Sequence, residues 1–353
     1  MPLFSIPDIK LCGMAAAVPE FEYNNNNYDW VPDSERKLLI KTIGVEKRRI
    51  AQKGTATSDL CFVAAEKLIE ELHWDKNEIQ ALILVSQTFD YQIPSTAIIM
   101  QDRMGLPKSC IAFDINLGCS GFVYGLSVIG SIMKTAGIKK AILLTGDVST
   151  LNASYQDKSV YPLFGDAGTA TALELSPGAP SMHFHLNSDG SGHKAIYVQD
   201  GGMRNFVNPE SLIQEKIAEG IIRSRIQISL NGYEVFQFSL REVAPNVNAL
   251  MAYQNKTVDD FDFFIFHQAN LLMNETIRKK IKIPSEKYPY SINKYGNTSS
   301  ASVPLTIISE LKEQVTKERK LLLVSGFGVG LSWGSAIIET DKIICPDIIT
   351  YHG

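Results

Sequence analysis

Short apolar runs alternate along the chain with longer stretches whose apolar residues recur at helical spacing. Ile9 to Val18 reads as a strand ended by Pro19, and Ala81 to Val85 as a second that stops at Ser86-Gln87-Thr88. Ile111 to Ile115, interrupted by Asp114, reads as the end of a buried strand. Ala141 to Gly146, Asp262 to Phe266 and Leu321 to Gly326 complete the set. Between them the spacing predicts helices over Asp33 to Gly44, over Ser58 to Leu72 with Ser58 as N-cap, and over Ser95 to Met104. A further helix carries apolar residues at 122, 126, 129 and 133 and ends at Gly137. Asn24 to Asn27 reads as a surface turn, and Lys47-Arg48-Arg49 as a solvated face.

Strands alternating with helices predict βαβ units and a mostly parallel sheet. Ser176-Pro-Gly-Ala-Pro180 is the boundary this pattern favours, dividing the chain into halves 1–176 and 177–353. The halves repeat each other. His267 answers to Ser86, Asn297 to Cys119 and Gly326 to Gly146, at offsets of 181, 178 and 180 residues. Three anchors at nearly one offset indicate an internal duplication. Each anchor is expected to end a strand, where ligands of parallel α/β layers gather.

Composition narrows the class. A chain of 353 residues with 45% hydrophobic and 20% charged residues is that of an ordinary globular protein. A net charge of −4 argues against general nucleic-acid binding. Five cysteines, an odd number with no CxxC and no histidine at metal spacing, predict neither a disulfide framework nor a metal site. Met1 to Lys10 does not resemble a signal peptide, and no apolar run approaches the roughly 18 residues of a membrane span. A cytoplasmic protein without membrane contact is the expectation.

The chemistry concentrates where strands end. Cys119 lies in a Gly-Cys-Ser-Gly turn between a strand and a helix, beside unpaired backbone N–H groups that favour a thiolate and offer donors to a nearby anion. Alone, such a cysteine is commonly a small buried hydrophobe. The duplication changes this: pseudo-twofold packing would set Asn297 opposite Cys119 with His267 beside them, a nucleophile, a base and a polar partner in one pocket.

Seven segments then resemble the thiolase superfamily, and within it most closely ketoacyl-acyl carrier protein synthase III. They are Gly44-Val-Glu-Lys-Arg-Arg-Ile-Ala, Tyr91-Gln-Ile-Pro-Ser-Thr, Asn116-Leu-Gly-Cys119-Ser-Gly, Phe164-Gly-Asp-Ala-Gly, His267-Gln-Ala-Asn270, Tyr295-Gly-Asn297-Thr-Ser-Ser-Ala-Ser-Val-Pro and Gly326-Phe-Gly-Val-Gly-Leu-Ser-Trp-Gly334. The resemblance implies an α/β, thiolase-like duplicated fold of five layers, αβαβα, and a homodimer that meets acyl carrier protein or coenzyme A thioesters. It implies that Cys119 takes an acyl group, with the backbone of Cys119 and of Gly328-Val329-Gly330 as oxyanion hole. His267 and Asn297 would hold a malonyl thioester whose decarboxylation gives the attacking carbanion. Phe327 would stand beside the reacting carboxylate, Ile93 would close the acyl pocket across the dimer, and Lys279 and Lys280 would dock the carrier. No metal or redox cofactor is implied.

The chain departs from the family pattern at Leu38, where many members stack a Trp on adenine, and at Leu272, where an Arg commonly meets the carrier phosphate. Lys158 stands at an Arg-like position, and residues 201–226 form a longer linker. These changes leave the donor open, coenzyme A or carrier. Three other readings stand beside the condensation. One is acyl transfer to oxygen or nitrogen without decarboxylation. Another is a papain-like protease, whose Cys–His–Asn order the chain shares but whose signature it lacks. The third is a non-catalytic binding subunit.

Overall fold

The computed structural model describes residues 3–353 and contains two mixed sheets. The first runs in the order Ile349–Tyr351, Ile9–Pro19, Ala167–Leu175, Lys140–Asp147, Ile79–Ser86, Ile111–Asn116. The second runs Leu3–Ile6, Met182–Ser188, Ser332–Asp341, Arg319–Gly328, Phe263–Phe266. Four consecutive strands of each sheet share one pattern: antiparallel, antiparallel, then parallel. This is the duplication in three dimensions.

The expected mostly parallel sheet is therefore corrected to a mixed one. Ala167–Leu175 and Ser332–Asp341 each return beside the preceding strand of their half without a helical crossover, so each makes two antiparallel pairings. Sheet membership changes between Leu175 and Met182, across the Pro/Gly turn. The chain ends cross over: Leu3–Ile6 joins the second sheet and Ile349–Tyr351 the first.

Helices Gly121–Ala136 and Ser302–Lys317 lie between the sheets and touch both. Thr57–Glu71 covers the outer face of the first sheet, and Gly232–Tyr253 with Leu271–Ile281 that of the second. The layers are αβαβα. A helix pressed on both sides needs small residues, and a Cβ at Gly125 would lie 2.7 Å from Val85 and 2.9 Å from Leu143.

Several local expectations are revised. The Ile111–Asn116 strand is not buried: it is the edge of its sheet, with Ile111 44% exposed. Asn25 is buried in its turn, donating to the carbonyls of Val45 at 3.0 Å and Pro162 at 2.7 Å. Arg48 is also buried, between the rings of Tyr23 and Tyr161, and donates to Asn25 and to the Phe164 carbonyl. Ser58 does not cap its helix. Asp59 accepts from the N–H of Ala56 there, and Ser58 donates to Asp90 instead. The second-half counterpart of the Ile111–Asn116 strand is a short helix, Ile292–Tyr295, so Asn297 does not follow a strand.

Candidate active site

Cys119, His267 and Asn297 line one cavity of about 1160 Å³ that opens at the carboxyl ends of Ile79–Ser86 and Phe263–Phe266. Three separate turns deliver them. Cys119 follows the first-sheet edge strand and precedes the Gly121–Ala136 helix. His267 continues the short apolar strand Phe263–Phe266, and its N–H donates to the Ser325 carbonyl at 2.7 Å. Asn297 is fixed by its backbone, which pairs with Leu163 at 2.9 Å and Gly165 at 3.0 Å. Those residues belong to the Phe164-Gly-Asp segment, so that motif holds the asparagine in place.

The Cys119 sulfur is buried, and the backbone N–H groups of Val329 and of Cys119 itself reach it. Burial dominates, pushing the thiol up to about 11, while these donors and the Ser299 hydroxyl pull the other way. The turn therefore does not yield a standing thiolate, as its place before a helix suggested, although it does supply the anion donors. Gly328 makes the approach possible. At its φ of +156°, an added Cβ would lie 2.7 Å from Cys119 Cβ and 2.8 Å from the sulfur.

His267 is held down to about 3 by burial, with hydrogen bonding to the Ser299 backbone opposing it, and is neutral at ordinary pH. Its Nδ1 lies 2.7 Å from Ser302 Oγ, and Phe327 meets the ring edge-on with centroids 5.6 Å apart. Asn297 Oδ1 accepts from the Ser299 N–H at 3.0 Å, while its Nδ2 has only a long contact, 3.4 Å, to the Ala269 carbonyl. The amide is oriented through its oxygen and keeps its N–H groups for the cavity.

The remaining expected residues divide. Phe327, Gly328 and Val329 line the cavity, whereas Gly330 lies in the turn behind it. Ile93 is 85% exposed and outside its own chain's cavity, although Tyr91 and Gln92 reach the rim. Lys279 pairs loosely with Glu275, and Lys280 donates to the Leu240 carbonyl. Lys158 pairs with Glu35, while Leu38 and Leu272 are exposed apolar side chains. The long linker is part of the wall: Met203, Val207 and Ile226 line the cavity, as do Val198 and Ile228 on either side of it.

Ser299, Ser302 and Asp147 escaped the sequence reading. The serines stand in a polar run that looks like a helix cap, and Asp147 is a single charge just past an apolar run. Only the pairing across the two halves marks them.

Residues 113–190 match the family model described as 3-oxoacyl-[acyl-carrier-protein (ACP)] synthase III, and residues 251–340 the model of its C terminal part. A beta-ketoacyl-[acyl-carrier-protein] synthase III of Staphylococcus saprophyticus is 32% identical over 95% of this chain and 100% of its own. One from Syntrophomonas wolfei is 31% identical over 94% of this chain and 97% of its own. The crystal structure of a 3-oxoacyl-(acyl-carrier protein) synthase from Burkholderia xenovorans superposes with a TM-score of 0.94 at 36% identity, covering 99% of both chains.

Proposed function

This chain belongs to the 3-oxoacyl-[acyl-carrier-protein] synthase III family, and from that membership we propose that it joins an acyl group held on Cys119 to a malonyl thioester by decarboxylative condensation. The observation that carries the reading is the convergence of Cys119, His267 and Asn297 on one cavity.

Cys119 attacks the acyl thioester, and the oxyanion of the tetrahedral intermediate is met by the N–H groups of Cys119 and Val329. The donor thiol leaves and the malonyl thioester takes its place. Its carbonyl accepts from the Asn297 amide and from His267 Nε2–H, the tautomer left when Ser302 donates to Nδ1. Loss of CO₂ puts charge on that oxygen, and two neutral donors stabilise it without a buried countercharge. The enolate carbon then attacks the acyl-enzyme. No metal or redox cofactor enters this chemistry. Phe327 closes the side of the cavity next to His267.

We further propose a homodimer formed through the Ile111–Asn116 edge, which would bring Ile93 to the partner's acyl pocket, and a cytoplasmic enzyme that meets acyl carrier protein. No helix among the described residues is long and apolar enough to cross a membrane. The ion-paired Lys279 and the engaged Lys280 offer the carrier little free charge.

Incubation with acyl and malonyl thioesters tests the reaction. Cys119→Ala should lose the covalent acyl adduct. Asn297→Ala should keep the adduct and lose decarboxylation. Absence of CO₂ release and of a 3-oxoacyl product from the wild type would sink the condensation, leaving acyl transfer to an oxygen or nitrogen acceptor.

A further inference from the structure

Residues 200–225 form a loop whose ends meet. The Asp200 N–H donates to the Arg225 carbonyl at 3.1 Å, and the Arg225 N–H to the Ser211 carbonyl at 3.2 Å. Inside this closure the buried Asp200 carboxylate accepts from the buried Ser211 hydroxyl at 2.7 Å. A small hairpin, Glu215–Ala218 with Ile221–Arg223, completes the loop and is fastened to segment 154–158. Arg223 pairs with the wholly buried Asp157 at 2.7 Å, and Ser154 Oγ donates to the Ile222 carbonyl at 2.7 Å. The Gly220 carbonyl accepts from Trp30 Nε1 and from the Lys158 N–H, both at 3.1 Å. At the other side Gln92 Nε2 donates to the Gly201 carbonyl at 2.8 Å. Separating a buried ion pair leaves an uncompensated charge, so this loop is a fixed wall and not a loose excursion.

What the wall presents to the cavity is apolar. Met203, Val207 and Ile226 line it, continued by Val198 and Ile228. Met203 is 71% exposed and Val207 55%. With their backbone held by polar bonds, these side chains cannot fold away into a core and stay wet until something apolar covers them. Cys119 opens into the same cavity, so a chain carried on its sulfur shares that space. A hydrocarbon chain asks no hydrogen bond of its surroundings, whereas the amide-bearing arm of a thioester donor does. The second half supplies a polar group of that kind. Asn270 lines the cavity where the Leu271–Ile281 helix begins, and its Oδ1 accepts from the Met273 N–H at 2.8 Å. Its amide N–H groups have no partner among the described residues.

We propose that this loop sets the acyl specificity, through Met203 and Val207 above all, and that the donor carries an extended, unsubstituted hydrocarbon chain and not an acetyl group; the inference rests on Cys119 being the acyl carrier. In the step concerned Cys119 exchanges its S–H bond for an S–C bond to the acyl carbonyl, and the donor leaves as the free thiol. The volume agrees. About 1160 Å³ exceeds the roughly 300–1,000 Å³ in which sites enclose a whole drug-sized ligand. An acetyl group is too short to cover the loop side chains and leaves Met203 and Val207 in water. A longer chain laid against them removes apolar surface from water on both sides of the contact, which favours the longer donor.

The test follows acylation of Cys119 by mass spectrometry with acetyl, butyryl, octanoyl and dodecanoyl thioesters of one donor thiol, each below saturation. The wild type should take octanoyl at least about tenfold faster than acetyl, the discrimination a hydrophobic pocket readily gives. Val207→Asp places a charge on the wall at a half-exposed position, where the fold should tolerate it. It should lower the octanoyl-to-acetyl ratio at least about tenfold, with no change in the mass seen by light scattering. Phe206 is exposed beside it and does not line the cavity, so Phe206→Asp should leave the ratio within about two-fold. A wild type that prefers acetyl, an unchanged ratio in Val207→Asp, or an equal fall in Phe206→Asp overturns the assignment. So does a change of mass in Val207→Asp, which would show that a second copy covers the wall. If no thioester of any length forms an adduct on Cys119, the condensation reading itself fails, and the acyl wall with it.

Discussion

His267 illustrates how burial sets chemistry at a single residue. Its ordinary value of 6.5 falls to about 3 in the native protein, so between those limits the unfolded chain binds a proton that the native one cannot. The stability this contributes is whole above pH 6.5 and is lost as pH falls toward 3, at about 1.4 kcal/mol per pH unit. Asp166 has the opposite sign. Raised from 3.8 to about 6, it makes the native state bind the extra proton, so its ionisation costs stability as pH rises through that window. Denaturant unfolding of the wild type and of His267→Gln between pH 4 and 6.5 isolates the histidine. The variant should gain on the wild type steadily as pH falls, and a constant gap would show that His267 is not held neutral. Neither value is legible in the sequence: His267 can be placed at a strand end, but the groups that desolvate it come from distant segments.

At the scale of elements, the Ile111–Asn116 strand is the most informative case. Its apolar residues were legible, but their burial was not, because an apolar run reads the same against its own chain or against another. In the monomer the strand is an unpaired edge with Ile111 exposed, the kind of edge that proteins cover or charge. Ile111→Lys should move the mass seen by light scattering from two chains to one, with the fold kept. A wild type that already has the mass of one chain would remove the dimer proposal. The Lys47-Arg48-Arg49 run makes the converse point. Three cations look solvated in sequence, yet the short strand Lys47–Arg49 turns Arg48 inward to cap the Phe164 carbonyl and stack on two tyrosines. Charge patterning cannot anticipate that, since Tyr161 and Phe164 lie more than a hundred residues away and Tyr23 belongs to a separate strand.

Over the whole molecule, the site depends on two halves meeting closely. Ser120 and Ser332 share a hydrogen bond of 2.7 Å across the join. A Cβ at Gly326, on the second sheet, would come within 2.8 Å of the Cys119 carbonyl oxygen and of Ser120 Cα. Gly326→Val therefore drives a wedge between halves beside the nucleophile. It should cost about 1–3 kcal/mol in denaturant unfolding, the usual range for overpacking, and should depress acylation as well. Native stability and activity in that variant would mean that the join yields.

The sequence by itself determined the repeat, the turns that carry Cys119, His267 and Asn297, and the family. These are local or periodic properties: apolar runs, turn residues and a fixed offset survive in one dimension. Tertiary structure alone decided that the sheets are mixed, that the edge strand faces outward and that Arg48 is buried. It also decided that the cysteine turn is buried enough to keep its thiol protonated. Hydrogen bonds and desolvation act through space, and only a folded chain sets the distances on which they depend.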